Sequence, residues 1–257
     1  MTKQIEALID KHHLTHLKAE LVPYVFEYLK IVPKKTDILP IGSSKLGGIP
    51  DFPKTMEYPT YNEKPLTFIG QFNLEDLQKT GIPNKLPQAG MLYFFYFDDF
   101  EDEAYYEMLG NPDEKNGWRV IFYEGAIEDL IPVTETDSQY PACHITFERR
   151  HSLPQIFIED EQDEDNFLQL LEELSPDEYN NHQALGVPFS IQNEVFEEAE
   201  DYVGAKAEDM TLLLQIDSDE ENLHMMWGDS GMLYFCIANK DLEEQNFQNV
   251  CCIMQCL

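Results

Sequence analysis

The sequence predicts an α+β protein in which two related, sheet-containing halves pack as one body behind an N-terminal helical segment. Three observations predict this fold class. Apolar residues near the N-terminus recur three and four positions apart, which is typical of an amphipathic helix. Short apolar runs broken by Pro and Gly follow, as in strands. Finally, the pentapeptide GMLYF occurs twice, starting at Gly90 and at Gly231, and ordered repetition indicates a duplicated unit.

The N-terminal segment, residues 1–37, is predicted to be helical. Its apolar positions from Ile5 to Leu29 keep a spacing of three and four. Pro23 interrupts this pattern, because proline lacks the N–H that a helix interior requires. We therefore expect two helical pieces here.

The first half, residues 40–150, carries four predicted strands: TFIGQF, MLYFFYF, WRVIFY and HITFERR. Successive side chains of a strand point to opposite faces of its sheet. The aromatic run after Gly90 therefore places large apolar groups on both faces. This pattern predicts a sheet that is covered on both sides.

An acidic connector, residues 151–183, is predicted to join the halves and to contain a helix at DEDNFLQLLEELS, with acids at its positive N-terminal end. The second half, residues 184–257, has predicted strands at MTLLLQI, GMLYFCIA and VCCIMQC. A short helix is expected at NKDLEEQNF, between the last two of these strands.

Three markers relate the two halves. Gly48 and Gly186 each precede a hydrophobic residue and a proline, Gln71 and Gln215 lie within the similar apolar runs FIGQF and LLLQI, and Gly90 and Gly231 begin the repeated pentapeptide. The paired positions are 138, 144 and 141 residues apart. Because the order is kept at a nearly constant separation, we interpret the halves as copies of one unit.

The same markers resemble the YwqG-like family, a bacterial domain of unknown function. The matching stretches are SSKLGGIPDFPKTMEYP, LTFIGQFNLEDL, GMLYFF, NHQALGVPFSIQNE, LLLQIDSDEENLHMMWGDSGMLYFCIANKDL and FQNVCCIMQC. They extend from about residue 40 to the end of the chain. Tyr58 stands before Pro59 where many members have tryptophan, a conservative change. The resemblance implies a mixed α and β fold and implies no activity.

The net charge of the chain limits the classes of partner that we expect the protein to bind. The formal net charge is −32, with 11 Lys against 10 acids in residues 1–90 and 6 basic against 39 acidic residues in 91–257. Such a field repels phosphate backbones and anionic lipid, so neither nucleic acid nor a membrane is an expected partner. A basic protein partner is compatible with it. The alternative is that the acidic residues only keep the protein surface solvated. The sequence does not specify an oligomeric state.

A cytoplasmic location is expected. No apolar run approaches the roughly 18 to 20 residues that cross a bilayer. The N-terminal MTKQIEALIDKHH lacks the apolar centre of a signal peptide. Five cysteines form an odd set without the spacing of a disulfide framework, as expected for reduced thiols.

Two loops are candidate ion sites. In SSKLGGIP, adjacent glycines expose backbone N–H groups and Lys45 could neutralise an anion. A structural turn is the alternative. Around residues 217–229, oxygen donors could converge on Ca²⁺, although the EF-hand pattern is not met and a solvated loop is the alternative; these donors are Asp217, Asp219, Glu221 and Asp229. No cofactor is predicted.

A pocket between the halves is the third candidate site. His182 and Gln192 lie in a polar but structured motif before the second half, and we expect them to line such a pocket with Gln71 and Gln215. Hydrogen bonding of these side chains to the backbone is the alternative reading.

The leading functional hypothesis is a non-enzymatic binding protein whose acidic surface engages a protein partner, in the manner of immunity proteins that neutralise toxins. The negative charge and the lack of a recognisable catalytic set favour it. The alternative is an enzyme or small-molecule binder that uses a cleft between the halves, with Gln71, His182 and Gln215 lining one pocket.

Overall fold

The fold combines helices with one large antiparallel sheet. A computed structural model describes residues 2–34, 36, 39–133, 139–175 and 180–257, with 28% helical and 30% strand content. The α+β prediction is confirmed at this level. Residues 176–179 of the expected connector lie outside the described residues, as do residues 1, 35 and 37 of the N-terminal segment and residues 134–138 of the first half.

The described chain contains seven α-helices and fourteen strands. The helices are α1 (Thr2–Lys11), α2 (Lys18–Leu21), α3 (Leu74–Gln78), α4 (Glu103–Met108), α5 (Glu161–Leu174), α6 (Val195–Val203) and α7 (Asn239–Glu243). The strands are β1 (Phe26–Lys34), β2 (Lys45–Leu46), β3 (Asp51–Pro53), β4 (Thr60–Tyr61), β5 (Lys64–Pro65), β6 (Thr67–Asn73), β7 (Met91–Tyr96), β8 (Trp118–Tyr123), β9 (Leu130–Pro132), β10 (Cys143–Ser152), β11 (Gln183–Ala184), β12 (Met210–Asp217), β13 (Met232–Ala238) and β14 (Cys251–Gln255).

Among the described residues, ten strands form one sheet in the order β14-β13-β12-β11-β1-β10-β2-β6-β7-β8. All its neighbouring strands run antiparallel. The pair β1 and β10 lies at the centre. Outward from this pair, β2, β6, β7 and β8 follow on one side in chain order, and β11, β12, β13 and β14 follow on the other. Each side is thus a short strand followed by a meander of three.

Strand β1 corrects the expectation that residues 1–37 are helical. Helical structure is confirmed over α1, α2 and two short 3-10 turns, the second ending at Tyr24. Residues 26–34 instead pair with β10 along their whole length, from Phe26 opposite Ser152 to Lys34 opposite His144. Aromatic and β-branched residues fit a pleated surface, so tertiary pairing overrides the weak helical spacing of this run.

Local sequence explains where α5 begins and where α6 ends. The Asp160 side chain accepts hydrogen bonds from the backbone N–H groups of Gln162 and Asp163, which caps the start of α5. Helix α6 ends at Gly204, whose left-handed conformation (φ 69°) suits glycine. The predicted connector helix is therefore confirmed, whereas α6 had no counterpart in the sequence prediction.

The main core lies between the two arms of the sheet. Every residue of β7 and of β13 is buried, which confirms the prediction of a sheet covered on both faces. Phe94 of β7 and Phe235 of β13 contact each other with ring centroids 5.3 Å apart. The Trp118 Nε1–H donates to Val250 O at 2.7 Å. The two ends of the sheet therefore meet, and the sheet is nearly closed.

A second, smaller apolar cluster holds the N-terminal helices. It joins Ile9, Leu14 and Leu21 to Phe167 and Leu170 of α5. The expected two-piece helical segment thus packs on the connector helix rather than on the main core. Within the described residues, no helix has the length and apolar character needed to span a membrane.

Candidate functional site

The buried Gln71 side chain ties β6 to the chain on both sides of β2, at Ser43 and at Asp51. Its Oε1 accepts the Asp51 backbone N–H at 2.9 Å. Its Nε2 donates to Ser43 O and to Asp51 Oδ2, both at 2.9 Å. The Tyr93 hydroxyl completes this network by donating to Asp51 O at 2.7 Å. All polar atoms of the Gln71 amide are therefore used inside the fold.

Gln215 makes the corresponding contacts in the other arm of the sheet. Its Oε1 accepts the Phe189 backbone N–H at 2.9 Å, and its Nε2 donates to Asn181 O at 2.7 Å. The Tyr234 hydroxyl donates to Phe189 O at 2.7 Å. The amide and the tyrosine thus hold the chain on both sides of β11, just as Gln71 and Tyr93 hold the chain on both sides of β2.

Lys45 lies inside the protein, in contact with an acid. Its Nζ is 3.1 Å from Asp51 Oδ2, and both side chains are almost fully buried. Burial lowers the pKa of Lys45, and the Asp51 charge opposes that effect. The backbone N–H groups of Gly47 and Gly48 donate to Ile69 O at 2.8 Å and Tyr140 O at 2.9 Å. The groups that would bind an anion in this loop are thus engaged within the protein.

His182 is fully buried, and both of its ring nitrogens have partners. Nδ1 accepts the Asp217 backbone N–H at 3.0 Å, so the proton of the neutral ring lies on Nε2. That nitrogen is 3.3 Å from Asp219 Oδ2. Burial lowers the pKa of His182, against the favourable effect of Asp219. A ring with both nitrogens engaged is poorly placed to act as a general base.

The acids of the 217–229 loop do not converge. Asp217 accepts the Asn181 N–H at 2.7 Å, and Asp219 accepts the Asn222 N–H at 2.8 Å. Burial raises the pKa of Asp219, but hydrogen bonds from His182 and Asn222 outweigh burial and lower the pKa to about 2. Glu221 and Asp229 are exposed. No cluster of three metal-ligating side chains is found in the part of the chain that the structure describes.

A cavity of about 460 Å³ lies where the central strand pair meets the second arm of the sheet. We call it the seam cavity. Its walls come from β1, the end of β10 and two loops, residues 153–157 and 187–194, together with residues 181–183. Its polar wall residues include Lys30, Arg150, Asn181, Gln183 and Gln192.

Two cations lie on the sheet side of the seam cavity. Tyr28 is opposite Arg150, and Lys30 is opposite Glu148, so alternation places these side chains on one face. Lys30 is 8% exposed, and its Nζ donates to Asn180 O. Arg150 Nη2 is 2.8 Å from Glu148 Oε2. Strand pairing therefore brings together charges that are distant in sequence.

Apolar side chains border the opening of the seam cavity. Phe157 is 84% exposed and Phe189 is 44% exposed. Both belong to the two loops that form the outer wall. An exposed apolar rim beside a polar, partly charged wall is a common composition of ligand pockets.

The structure brings some of the predicted site residues together and separates others. Gln192 and His182 both line the seam cavity, Gln192 at the exposed rim and His182 as a fully buried residue of the wall. Gln71, Lys45 and Gln215 are absent from the lining of this cavity. Sequence reasoning did not single out Lys30, although a lysine inside the apolar run YLKIV is an available signal.

The family of the chain follows from a comparison with protein families. Residues 44–256 match the profile of DUF1963, a domain of unknown function. The chain belongs to the DUF1963 family. The resemblance to YwqG-like proteins is consistent with this membership. The DUF1963 match begins after β1, so it includes β2 to β14 and leaves out the N-terminal helices and the first strand of the central pair. No curated protein matches the chain significantly.

Proposed function

We propose that this protein is a non-enzymatic binding protein that holds a small molecule in the seam cavity. The observation that supports the proposal is the composition of the cavity. Its volume of about 460 Å³ falls in the range of roughly 300 to 1,000 Å³ typical of ligand pockets. Its wall combines charged and amide groups, and its rim is aromatic. The two engaged nitrogens of His182 favour binding over proton-transfer chemistry.

The test blocks the opening of the cavity. Gln192 is exposed on the rim, and in the described part of the chain its side chain makes no hydrogen bond, so Gln192→Trp changes the opening without removing a structural contact. Gln169→Trp, on the exposed side of α5, is the matched control. A fluorescence screen of small molecules should give compounds that bind wild type and Gln169→Trp but not Gln192→Trp. Compounds that bind all three proteins equally would contradict the proposal.

A second candidate function is engagement of a basic protein partner by an acidic surface, as immunity proteins engage toxins. The specific observation is helix α6, where Glu197, Glu200 and Asp201 are exposed on a nine-residue helix. Affinity purification from host cells at low and high salt tests it. A basic protein that co-elutes only at low salt would support this function, because salt screens exposed charges. A complex indifferent to salt would contradict it.

We further propose that residues 40–150 and 184–257 are duplicated halves, and that the chain is YwqG-like. The support is the matched set of hydrogen bonds at Gln71 and Gln215, together with the mirrored strand order.

A cytoplasmic location is proposed as well. It is supported by five free thiols, which suit a reducing compartment. Cell fractionation tests it.

A further inference from the structure

We propose that the open edge of β8, the side of this strand that faces away from β7, binds an extended peptide segment of another protein. The peptide adds a strand to the sheet and carries an acidic group at its C-terminal end, next to Lys115 and Arg119. The described lining of this surface shares no residue with that of the seam cavity. The inference therefore goes beyond the proposed small-molecule function.

The first support is the hydrogen-bond pattern of β8, which lies at one end of the sheet and pairs with β7. The Phe97 N–H donates to Gly117 O at 2.7 Å, so these two residues form a hydrogen-bonded pair of the ladder. Such pairs alternate with non-hydrogen-bonded pairs along antiparallel strands, and the register of β7 with β8 has no shift. The N–H and C=O groups of Val120 and Phe122 therefore point away from β7, toward the open edge.

These outward groups are available for pairing. Within the described residues, the backbone of Val120 and of Phe122 makes no hydrogen bond on the open side. An edge with unpaired N–H and C=O groups is a template for a further strand. Extended peptides use such edges in many recognition domains, where main-chain hydrogen bonds supply the affinity.

The second support is a groove of about 570 Å³ beside β8, which we call the edge groove. Residues 118–122 all line it. Successive side chains of a strand point to opposite faces, so a groove that all five residues line follows the edge of β8 rather than one face. The other wall is formed by residues 245–248 and Val250. The five residues of β8 span about 13 Å, the length of a short peptide strand.

The third support is the charge of the edge groove. Its described lining contains Lys115 and Arg119 and no acidic residue, in a chain of 49 acidic and 17 basic residues. Within the described residues, neither cation has a carboxylate partner. Lys115 Nζ donates to Tyr202 O at 2.6 Å, and the guanidinium of Arg119 donates to three backbone carbonyls and to Asn116 Oδ1. These contacts hold the two groups in place and leave their charge without a carboxylate bound to it.

A nearby acid does not cancel this charge. Burial lowers the pKa of Arg119 and the charge of Glu114 opposes that effect, so Glu114 offsets one of the two positive charges. Lys115 is exposed. An ammonium has three N–H donors, and Tyr202 O accepts from one of them. The ammonium of Lys115 can therefore also contact an anionic group in the edge groove.

The position of the cations gives the peptide a direction. Arg119 Nη1 contacts Lys115 O, Asn116 O and Trp118 O, so both cations lie at the N-terminal end of β8. A peptide that continues the antiparallel pattern of the sheet has its C-terminal end there. An acidic side chain or a terminal carboxylate at this end of the peptide forms charge-assisted hydrogen bonds. A second copy of this chain is a poorer occupant, because two molecules of net charge −32 repel each other.

The experiment starts from a displayed library of random nine-residue peptides, which is selected on the wild-type protein. A peptide with the enriched sequence is then synthesised in three forms. The first is unmodified, the second has Gln in place of its acidic residues and an amidated C-terminus, and the third has N-methyl groups on alternate backbone nitrogens. Their affinities are measured for wild type, Lys115→Gln, Gln192→Trp and the control Lys3→Gln. Lys3 is an exposed lysine of α1, away from β8.

We expect enriched peptides to carry an acid near the C-terminal end. Removing the acid, or changing Lys115 to Gln, should weaken binding about tenfold, the effect of one charge-assisted hydrogen bond. The two changes together should cost no more than either alone, because they remove the same interaction. N-methylation should abolish binding, since it removes main-chain donors. Lys3→Gln and Gln192→Trp should bind like wild type. If Lys115→Gln does not fold, the Gln form of the peptide tests the charge on wild type.

Hydrogen exchange measured by NMR locates the bound peptide. The amides of Val120 and Phe122 should exchange at least about tenfold more slowly in the complex. Ile121 is the internal control, because alternation directs its N–H to β7 and its exchange should not depend on the peptide.

Several outcomes would overturn the inference. These are a selection without enriched peptides, binding that tolerates N-methylation, and protection of amides away from β8. Peptides that lose affinity for Gln192→Trp would lie in the seam cavity, which overturns the edge site and leaves the proposed small-molecule function standing. Sedimentation of the free protein as a dimer, with Val120 and Phe122 already protected, would show that a second copy covers the edge instead.

Discussion

At the scale of single residues, two buried glutamine side chains bind backbone groups and do not face the candidate ligand site. These are Gln71 and Gln215, each of which accepts one backbone N–H and donates to one backbone carbonyl. Buried amides of this kind fix the path of a loop, since each broken contact leaves an unpaired group away from water. The sequence analysis selected Gln71 and Gln215 as candidate pocket residues. Their hydrogen bonds to the backbone give both residues a structural role that needs no ligand.

Replacing either glutamine by leucine should destabilise the protein. Gln71→Leu leaves the Asp51 N–H and the Ser43 carbonyl without their partner, and Gln215→Leu does the same to Phe189 and Asn181. We expect a loss of about 1 to 3 kcal/mol in the free energy of unfolding for each variant. Urea unfolding measures it. Gln192→Leu, at an exposed position, is the control and should change stability by less than about 0.5 kcal/mol. Unchanged stability of Gln71→Leu would contradict the structural role.

His182 should make stability depend on pH. Burial lowers its pKa in the folded protein below the ordinary 6.5, so the unfolded chain binds a proton that the folded chain does not. The stabilising effect of the neutral ring is therefore present above pH 6.5 and is lost as the pH falls below that value. His182→Asn keeps an acceptor for the Asp217 N–H and cannot titrate.

The measurement compares urea unfolding of wild type and His182→Asn at several pH values. The difference in unfolding free energy should shrink as the pH falls from about 7.5 to about 5.5, because only wild type has the histidine that titrates there. A difference independent of pH would show that the ring does not titrate between the folded and unfolded states.

At the scale of elements, strands with strong apolar runs were predictable and elements defined by tertiary pairing were not. The run WRVIFY matches β8, and GMLYF begins just before β7 and β13 in both arms. Strand β1 was missed because its charged residues Glu27 and Lys30 fall between apolar ones in a pattern that also suits a helix. Helix α6 was missed because acids interrupt the sparse apolar positions Val195, Ala199 and Tyr202.

Two glycines let the short strands approach their neighbours closely. Gly48 and Gly186 each have φ 72°. A Cβ added at Gly48 would lie 2.5 Å from the Ala142 Cβ, and one at Gly186 would lie 2.6 Å from the Tyr28 Cβ. These positions follow β2 and β11, which join the two arms of the sheet to its central pair.

Alanine at either glycine should therefore be costly. We expect Gly48→Ala and Gly186→Ala to lose about 2 to 5 kcal/mol, the combined effect of a left-handed backbone and overpacking. Gly204→Ala is the matched control. Its φ is 69°, but an added Cβ meets nothing within 4 Å, so it should lose about 1 to 2 kcal/mol. Thermal unfolding measures the three variants. Equal losses in all three would contradict the role of close packing.

At the scale of the whole molecule, the charge is a destabilising force that the packed core must overcome. The net charge of −32 repels itself in the compact state. The melting temperature should therefore rise as NaCl increases from about 0.01 M to about 1 M, where the Debye length falls from about 30 Å to about 3 Å. Differential scanning calorimetry measures the shift. A melting temperature that falls with salt would indicate that the ion pairs dominate instead.

The pairing of strands across the whole sheet limits how much of the candidate site can be predicted from the sequence. Gln192 and His182 were found because they are polar residues inside one local motif. Lys30 and Arg150 were not found, because they converge only through the pairing of β1 with β10. The register of strands so distant in sequence depends on the whole sheet, and a single sequence carries no local signal of it.

The central position of β1 has a consequence for how the protein is made. Its neighbours in the sheet are residues 143–152 and 183–184, so on the ribosome β1 emerges long before either neighbour exists. An apolar strand without a partner invites pairing with other chains. Glu27, Lys30 and Pro33 lie within β1, and charges and proline oppose such pairing. We therefore expect these three residues to oppose aggregation of the nascent chain before β10 and β11 are made.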